Sequence, residues 1–182
     1  MEAYDNGRRA IQGMAEIAVP VIAALQGDVY GLGTSIALSA DMIVASRNVR
    51  IGDPHVKVGL VAGDGGTHVW PAAFGFLKSK RHLLTGDPIG ADEAHRLGAV
   101  SDLVEEPDDV LPAAMALAAK VAALPPIAVQ YTKRALNHSM QRSVIDNFEF
   151  AMALEQYAMT SEDLKEALAA IREKRAGNYK NR

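Results

Sequence analysis

Val19-Pro20-Val21-Ile22-Ala23-Ala24-Leu25-Gln26-Gly27, with Gly31-Leu32-Gly33 close behind, is the stretch on which the fold turns. A short apolar run rich in Val and Ile and closed by Gly27-Asp28 reads as a buried strand over Val19 to Leu25. The wider apolar run, Ile17 to Leu25, is broken by Pro20 and falls far short of the roughly 20 residues that a membrane-crossing helix requires. Gly31-Leu32-Gly33 then supplies a turn into a short helix beginning near Thr34. Asp41-Met42-Ile43-Val44-Ala45 resumes a β-rich run, so the order is strand, turn, helix, strand.

Working outward, residues 1–16 place Tyr4, Ile11, Met14 and Ala15 at near-helical spacing among charges, which predicts an amphipathic helix feeding the first strand. From Asn48 to Gly66 the chain is dominated by Gly, Pro, Asp and Val. Short strands are expected there, joined by turns at Gly52-Asp53-Pro54 and Gly63-Asp64-Gly65-Gly66. Beyond residue 70 the pattern predicts helices at 74–84, 91–97, 110–123, 127–138, 144–159 and 161–175, interrupted by one strand, Val100 to Val104. Pro125-Pro126 ends the alanine-rich helix before it, because neither ring nitrogen can donate to the helical ladder. Thr160 or Ser161, followed by Glu162 and Asp163, caps the last helix, and Gly177 marks its end. Alternating strands and helices followed by helices alone predict an α/β core, residues 1–104, with a helical region over 105–182 laid against it.

Composition narrows the function classes. The chain has 182 residues, of which 49% are hydrophobic, enough for one core without staples. It contains no cysteine, which removes disulfides and thiolate metal sites. Net charge is −3 and the basic residues are scattered, so neither nucleic acid nor a membrane is an expected partner. The acidic start, Met1-Glu2-Ala3-Tyr4-Asp5, does not look like a secretory signal, and a cytoplasmic location is expected.

Three stretches, in this order, resemble the enoyl-CoA hydratase/isomerase (crotonase) superfamily. The first is the opening segment with its glycine turn. The second runs from Asp41-Met42-Ile43-Val44-Ala45 through Ile51-Gly52-Asp53-Pro54 and Val58-Gly59-Leu60 to Gly63-Asp64-Gly65-Gly66-Thr67. The third is Leu83-Leu84-Thr85-Gly86-Asp87 with Ala91-Asp92-Glu93-Ala94 and Leu97-Gly98-Ala99-Val100. The resemblance implies a crotonase-like spiral of ββα units with a C-terminal helical subdomain, and a first part of the domain lying before residue 1. It also implies an acyl-CoA thioester as substrate, coenzyme A arriving with it and no separate cofactor, and a homotrimer or hexamer.

A thioester carbonyl that gains electrons becomes an oxyanion or enolate, and backbone N–H donors in a dry pocket stabilise it. The resemblance assigns one such donor to Leu32, with the helix dipole behind it. Tyr30, Gly31, Gly33, Pro54 and Gly63 are the expected substrate-lining positions. The two glutamates of a hydratase are replaced, by Ser35 and by His55. An imidazole titrates near neutrality and can serve as acid or base, whereas a serine cannot replace a carboxylate. His55 is therefore the first catalytic candidate, Asp64 in its glycine-rich turn the second, and Ser35 the third. Each also has a plainer reading, Asp64 as a helix cap and Ser35 as a backbone-bonded residue. His68, His82, His95 and His138 lack metal-ligand spacing, so no metal site is expected, and His68 is kept only as a pocket-lining residue. Trp70, Phe148 and Phe150 are expected to pack. Lys165, Lys174, Arg175 and Lys180 are basic groups available to coenzyme A phosphates, or simply a solvated helix end.

The same residues also suit a protein that kept an acyl-CoA groove and lost catalysis, or one that catalyses thioester hydrolysis or decarboxylation.

Overall fold

In the computed structural model the backbone of residues 2–182 is described, together with the side chains of residues 7–138 and 147–182. Tyr4 therefore lies outside the described side chains. Helix α1, Glu2–Glu16, leads to strand β1, Ile22–Leu25. The strand is shorter than the apolar run. Pro20 has no N–H for a ladder, and the Val21 N–H is drawn off by Asp41 Oδ2 at 2.7 Å.

Strand β2, Val29–Tyr30, precedes helix α2, Leu32–Leu38, and strands β3, Met42–Ser46, and β4, Arg50–Gly52, follow. Where several short strands were expected between 48 and 66 there is only β4, then a 3-10 turn, His55–Val58. Helix α3, Gly66–Phe74, begins directly after the glycine-rich turn, and α4, Phe76–Thr85, starts after Gly75. Next come β5, Ile89–Gly90; α5, Ala91–Arg96; β6, Asp102–Val104; and α6, Pro107–Ala122. The two helices expected over 127–138 and 144–159 are one helix, α7, Pro126–Met159, of 34 residues. Nothing between 138 and 144 breaks it, because that segment holds neither Pro nor Gly. Helix α8, Glu162–Glu173, is capped by Ser161, whose Oγ accepts the Leu164 N–H at 3.1 Å. It ends at Lys174, in the left-handed region, ahead of Gly177.

β1, β3 and β6 form a parallel sheet in the order β1-β3-β6. A second small sheet, β2-β4-β5, pairs β2 with β4 in parallel and β4 with β5 antiparallel. Parallel neighbours need crossovers, and α2 supplies the first of them. The main core joins Ile43, Ala45, Val49 and Ile51 from the sheets with Val69, Trp70 and Phe74 of α3. Trp70 is fully buried, stacked on His82 with ring centroids 5.8 Å apart. On the other face Val110 and Ala114 of α6 cover Val44, and Ile11 of α1 packs with Phe148 and Met152 of α7. Phe148 is buried as expected, but Phe150 is exposed, because it falls on the opposite face of α7. Among the described residues no single helix is both long and apolar enough to cross a membrane.

Candidate active site

The site is assembled from four segments: the β2–α2 turn, the 3-10 turn after β4, the loop before α3, and α7. Gly31 has φ 56° and ψ −131°, a conformation that side chains rarely adopt, and it swings the chain from β2 into α2. Its N–H donates to Gly52 O at 3.1 Å, and the Ser35 N–H closes the first helical turn on Gly31 O at 3.1 Å. Thr34, fully buried, donates through Oγ1 to Val29 O at 2.9 Å and Gly52 O at 2.8 Å, locking the helix start onto both strands. Leu32 is the first residue of α2, where backbone donors lack an intrahelical acceptor. Among the described residues no backbone or side-chain acceptor takes its N–H.

His55 packs against this turn. A Cβ built on Gly31 would meet His55 Cε1 at 3.4 Å. The imidazole is hydrogen-bonded through Nδ1 to Asp53 Oδ1 at 2.5 Å. Its other nitrogen, Nε2, lies 3.5 Å from Asp64 Oδ2 and 4.0 Å from Glu155 Oε1. Asp64 comes from the glycine-rich turn and Glu155 from α7. The helix approaches so closely that a Cβ on Gly63 would come within 2.6 Å of Glu155 Oε2.

Three carboxylates around one imidazole distort every protonation equilibrium. The hydrogen bond to Asp53 holds the His55 ring protonated up to about 9; desolvation opposes it, and the negative charges of Asp53, Asp64 and Glu155 add to it. Burial raises Asp64 above the usual carboxylate range, eased by His55 and worsened by Asp53. Burial also pushes Glu155 up to about 7, with the Asp64 charge next in importance, while His55 and the Gly63 backbone counteract. Proton affinities thus split into an imidazolium that holds its proton and a carboxyl that exchanges near neutrality.

Asp53, His55 and Asp64 offer donor atoms within 4.8 Å of one another, a spacing that a cation could bridge. However, the Asp53–His55 hydrogen bond uses one donor from each. What remains is Nε2, facing the carboxylates of Asp64 and Glu155.

The predicted residues are partly gathered here. His55 and Asp64 come together beside Gly31 and Leu32. Ser35 is fully buried with no described partner for its Oγ, and no described bond joins it to the cluster. Tyr30 is partly exposed with its ring over Gly52, Pro54 precedes the 3-10 turn, and Gly33 packs on Val29. His82 and His95 bond backbone carbonyls, of Asp87 and Val100, at 2.8 and 2.9 Å. Burial lowers His68 below the ordinary range. Arg175 is engaged by Glu166 and Glu173. Two site residues went unread in the sequence. Asp53 had a signal, an acid two residues before the histidine in a Pro turn, whereas Glu155 lies on a distant helix with no local motif.

The sequence model of the enoyl-CoA hydratase/isomerase family matches residues 3–182. The chain is 35% identical over 177 residues to the short-chain-enoyl-CoA hydratase of Clostridium acetobutylicum, covering 97% of this chain and 67% of that protein. It superposes on a solved enoyl-CoA hydratase/isomerase from Mycobacterium paratuberculosis with a TM-score of 0.87 and 36% identity, over 92% of this chain and 66% of that one. It also superposes on a β-diketone hydrolase from the cyanobacterium Anabaena, bound to (S)-3-oxocyclohexyl acetic acid, with a TM-score of 0.82 and 31% identity over 87% of this chain and 63% of that one. The chain spans about two thirds of the length of the curated relatives it matches. With this α/β fold, with helices after the sheets and a glycine turn beside the acid cluster, the chain belongs to the enoyl-CoA hydratase/isomerase family and has its crotonase fold.

Proposed function

We propose that this chain carries the proton-transfer site of an enzyme that binds an acyl-CoA thioester, stabilises its enolate with the Leu32 N–H, and moves protons through His55, Asp64 and Glu155. The single observation that carries this reading is the placement of His55, its ring against Gly31 and its Nε2 turned to two carboxylates. The reading is supported by the Leu32 N–H, which has no described acceptor and stands at the positive end of α2, where negative charge is stabilised. The imidazolium adds positive charge there and can deliver a proton to the α-carbon. Asp64 and Glu155, two carboxyls both raised by burial and Glu155 to about 7, can accept a proton from water. Acid and base are therefore both present although Ser35 and His55 stand where a hydratase has glutamates.

This division of labour serves addition of water to an enoyl thioester, and equally attack of water on a carbonyl. A second reading follows from that second option. The substrate is then a β-diketone, water attacks one carbonyl, and the C–C bond to the α-carbon breaks to leave an enolate at the same N–H. It is favoured by the replacement of both hydratase glutamates by a histidine–carboxylate group and by the likeness to a β-diketone hydrolase. Assembly as a trimer or hexamer in the cytoplasm completes the proposal. The assembly is supported by the apolar side chains Ile127, Tyr131, Leu136 and Tyr157 that α7 leaves exposed.

The test incubates the full-length protein with enoyl-CoA esters, saturated acyl-CoA esters and cyclic and open β-diketones, following water addition by mass spectrometry and thioester cleavage by thiol release. Turnover of one class, reduced ~10²-fold or more in His55→Ala, is expected. Absence of turnover in every class, or an unaffected His55→Ala variant, removes the catalytic assignment; tight coenzyme A binding without turnover would identify a binding protein instead.

A further inference from the structure

We infer that Asp53 is a positioning residue, which keeps the Nδ1 proton of His55 in place and so leaves Nε2 as the only nitrogen that exchanges protons with the reaction. The inference rests on the proposed role of His55 and adds to it. Asp53 is 1% exposed, and the same oxygen, Oδ1, accepts from the His55 ring at 2.5 Å and from the His55 backbone N–H at 3.3 Å. An ionised carboxylate only accepts, so the nitrogen facing it must carry the hydrogen whether the ring is charged or neutral. The other nitrogen then faces Asp64 and Glu155, the only charged groups described around it besides Asp53 itself.

Gly66 makes room for the carboxylate in this orientation. A Cβ on Gly66 would stand 2.4 Å from Asp53 Oδ2 and 2.9 Å from the Ala62 Cβ, so the first residue of α3 forms a wall with room for this carboxylate only because it has no side chain. Oδ2 itself accepts no hydrogen bond. A buried carboxylate half unpartnered is costly unless a charge sits beside it, and the imidazolium is that charge. A plain turn-capping role would rest on the backbone bond, yet that bond is the longer of the two.

Protein labelled with 15N at histidine decides the point by NMR titration. In the wild type the proton is expected to leave Nε2 as pH rises, with Nδ1 remaining protonated. Deprotonation at Nδ1 overturns the inference, and this readout needs no substrate, so it stands apart from any failure of the proposed reaction. In Asp53→Asn the His55 titration is expected to fall by about 1 to 3 pH units, since a charged neighbour is lost. With a substrate in hand, kcat falls ~10²-fold with KM little changed. An Asp53→Asn protein that is folded by circular dichroism and keeps the wild-type His55 titration overturns the inference. Gly66→Ala, which displaces the carboxylate and leaves its charge, is expected to lower the His55 titration in the same direction; an unchanged titration in a folded Gly66→Ala protein counts against it.

Discussion

Glu155→Gln is expected to make the protein more stable, by an amount that grows as pH rises above 4.5 and is complete above about 7. Glu155 is 5% exposed at its side chain, its Oε2 has no partner, and burial with the Asp64 charge raises its proton affinity from an ordinary 4.5 to about 7. A carboxyl raised in this way binds its proton more tightly in the folded chain than in the unfolded one. Its contribution is therefore fully present below 4.5 and is lost as pH rises from 4.5 through about 7. At ~1.4 kcal/mol per pH unit, the ionised side chain costs ~3 kcal/mol of folding free energy above pH 7. Glutamine mimics the neutral acid and does not titrate. Urea unfolding of wild type and variant at intervals from pH 4 to 9 reads the difference. The two proteins should agree near pH 4.5 and separate by ~3 kcal/mol at pH 8, with the variant the more stable. A difference that is constant across the range, or a variant less stable at pH 8, would refute the idea that Glu155 is held in the cluster against its own ionisation.

Three further outcomes follow from the geometry. With the substrate identified, kcat/KM should trace a bell: the acidic limb near 7, where Glu155 becomes able to accept a proton, and the alkaline limb near 9, where His55 loses the one it delivers, so a profile flat from 6 to 10 would contradict the assignment. Gly31→Ala should lower stability by ~1–3 kcal/mol, because alanine resists φ 56°, and should lower kcat ~10²-fold as the Leu32 N–H and the His55 ring are displaced; unaltered kinetics would mean that the turn is only structural. Ser35→Ala removes a buried hydroxyl with no described partner, so thermal unfolding should show a stability unchanged or raised by ~1 kcal/mol, and kcat should stay near wild type, whereas a large kcat loss would restore Ser35 to the chemistry.

Local chemistry made much of the fold legible. The Gly31 turn, the proline break before α7 and the Ser161 cap each follow from neighbours along the chain, and each stands where the residues place it. The single long helix α7 was read as two because apolar periodicity weakens along it, and its faces are set by packing against α1 and α3, which periodicity does not contain. A helix start after the glycine-rich turn was legible, but the extent of α3 was not, because its first residue is a glycine and it carries Pro71 in its interior, both poor helix signals.

The residues themselves determined that a histidine stands where a second carboxylate is usual, that a Gly-Leu-Gly turn precedes a helix, and that family membership follows from three ordered motifs. Only the tertiary structure brought Glu155 from α7 to Asp64 and His55, and only it aimed the two nitrogens of the imidazole in different directions. Proton affinity depends on burial and on charges a few ångströms away, and those distances belong to the packing of the chain.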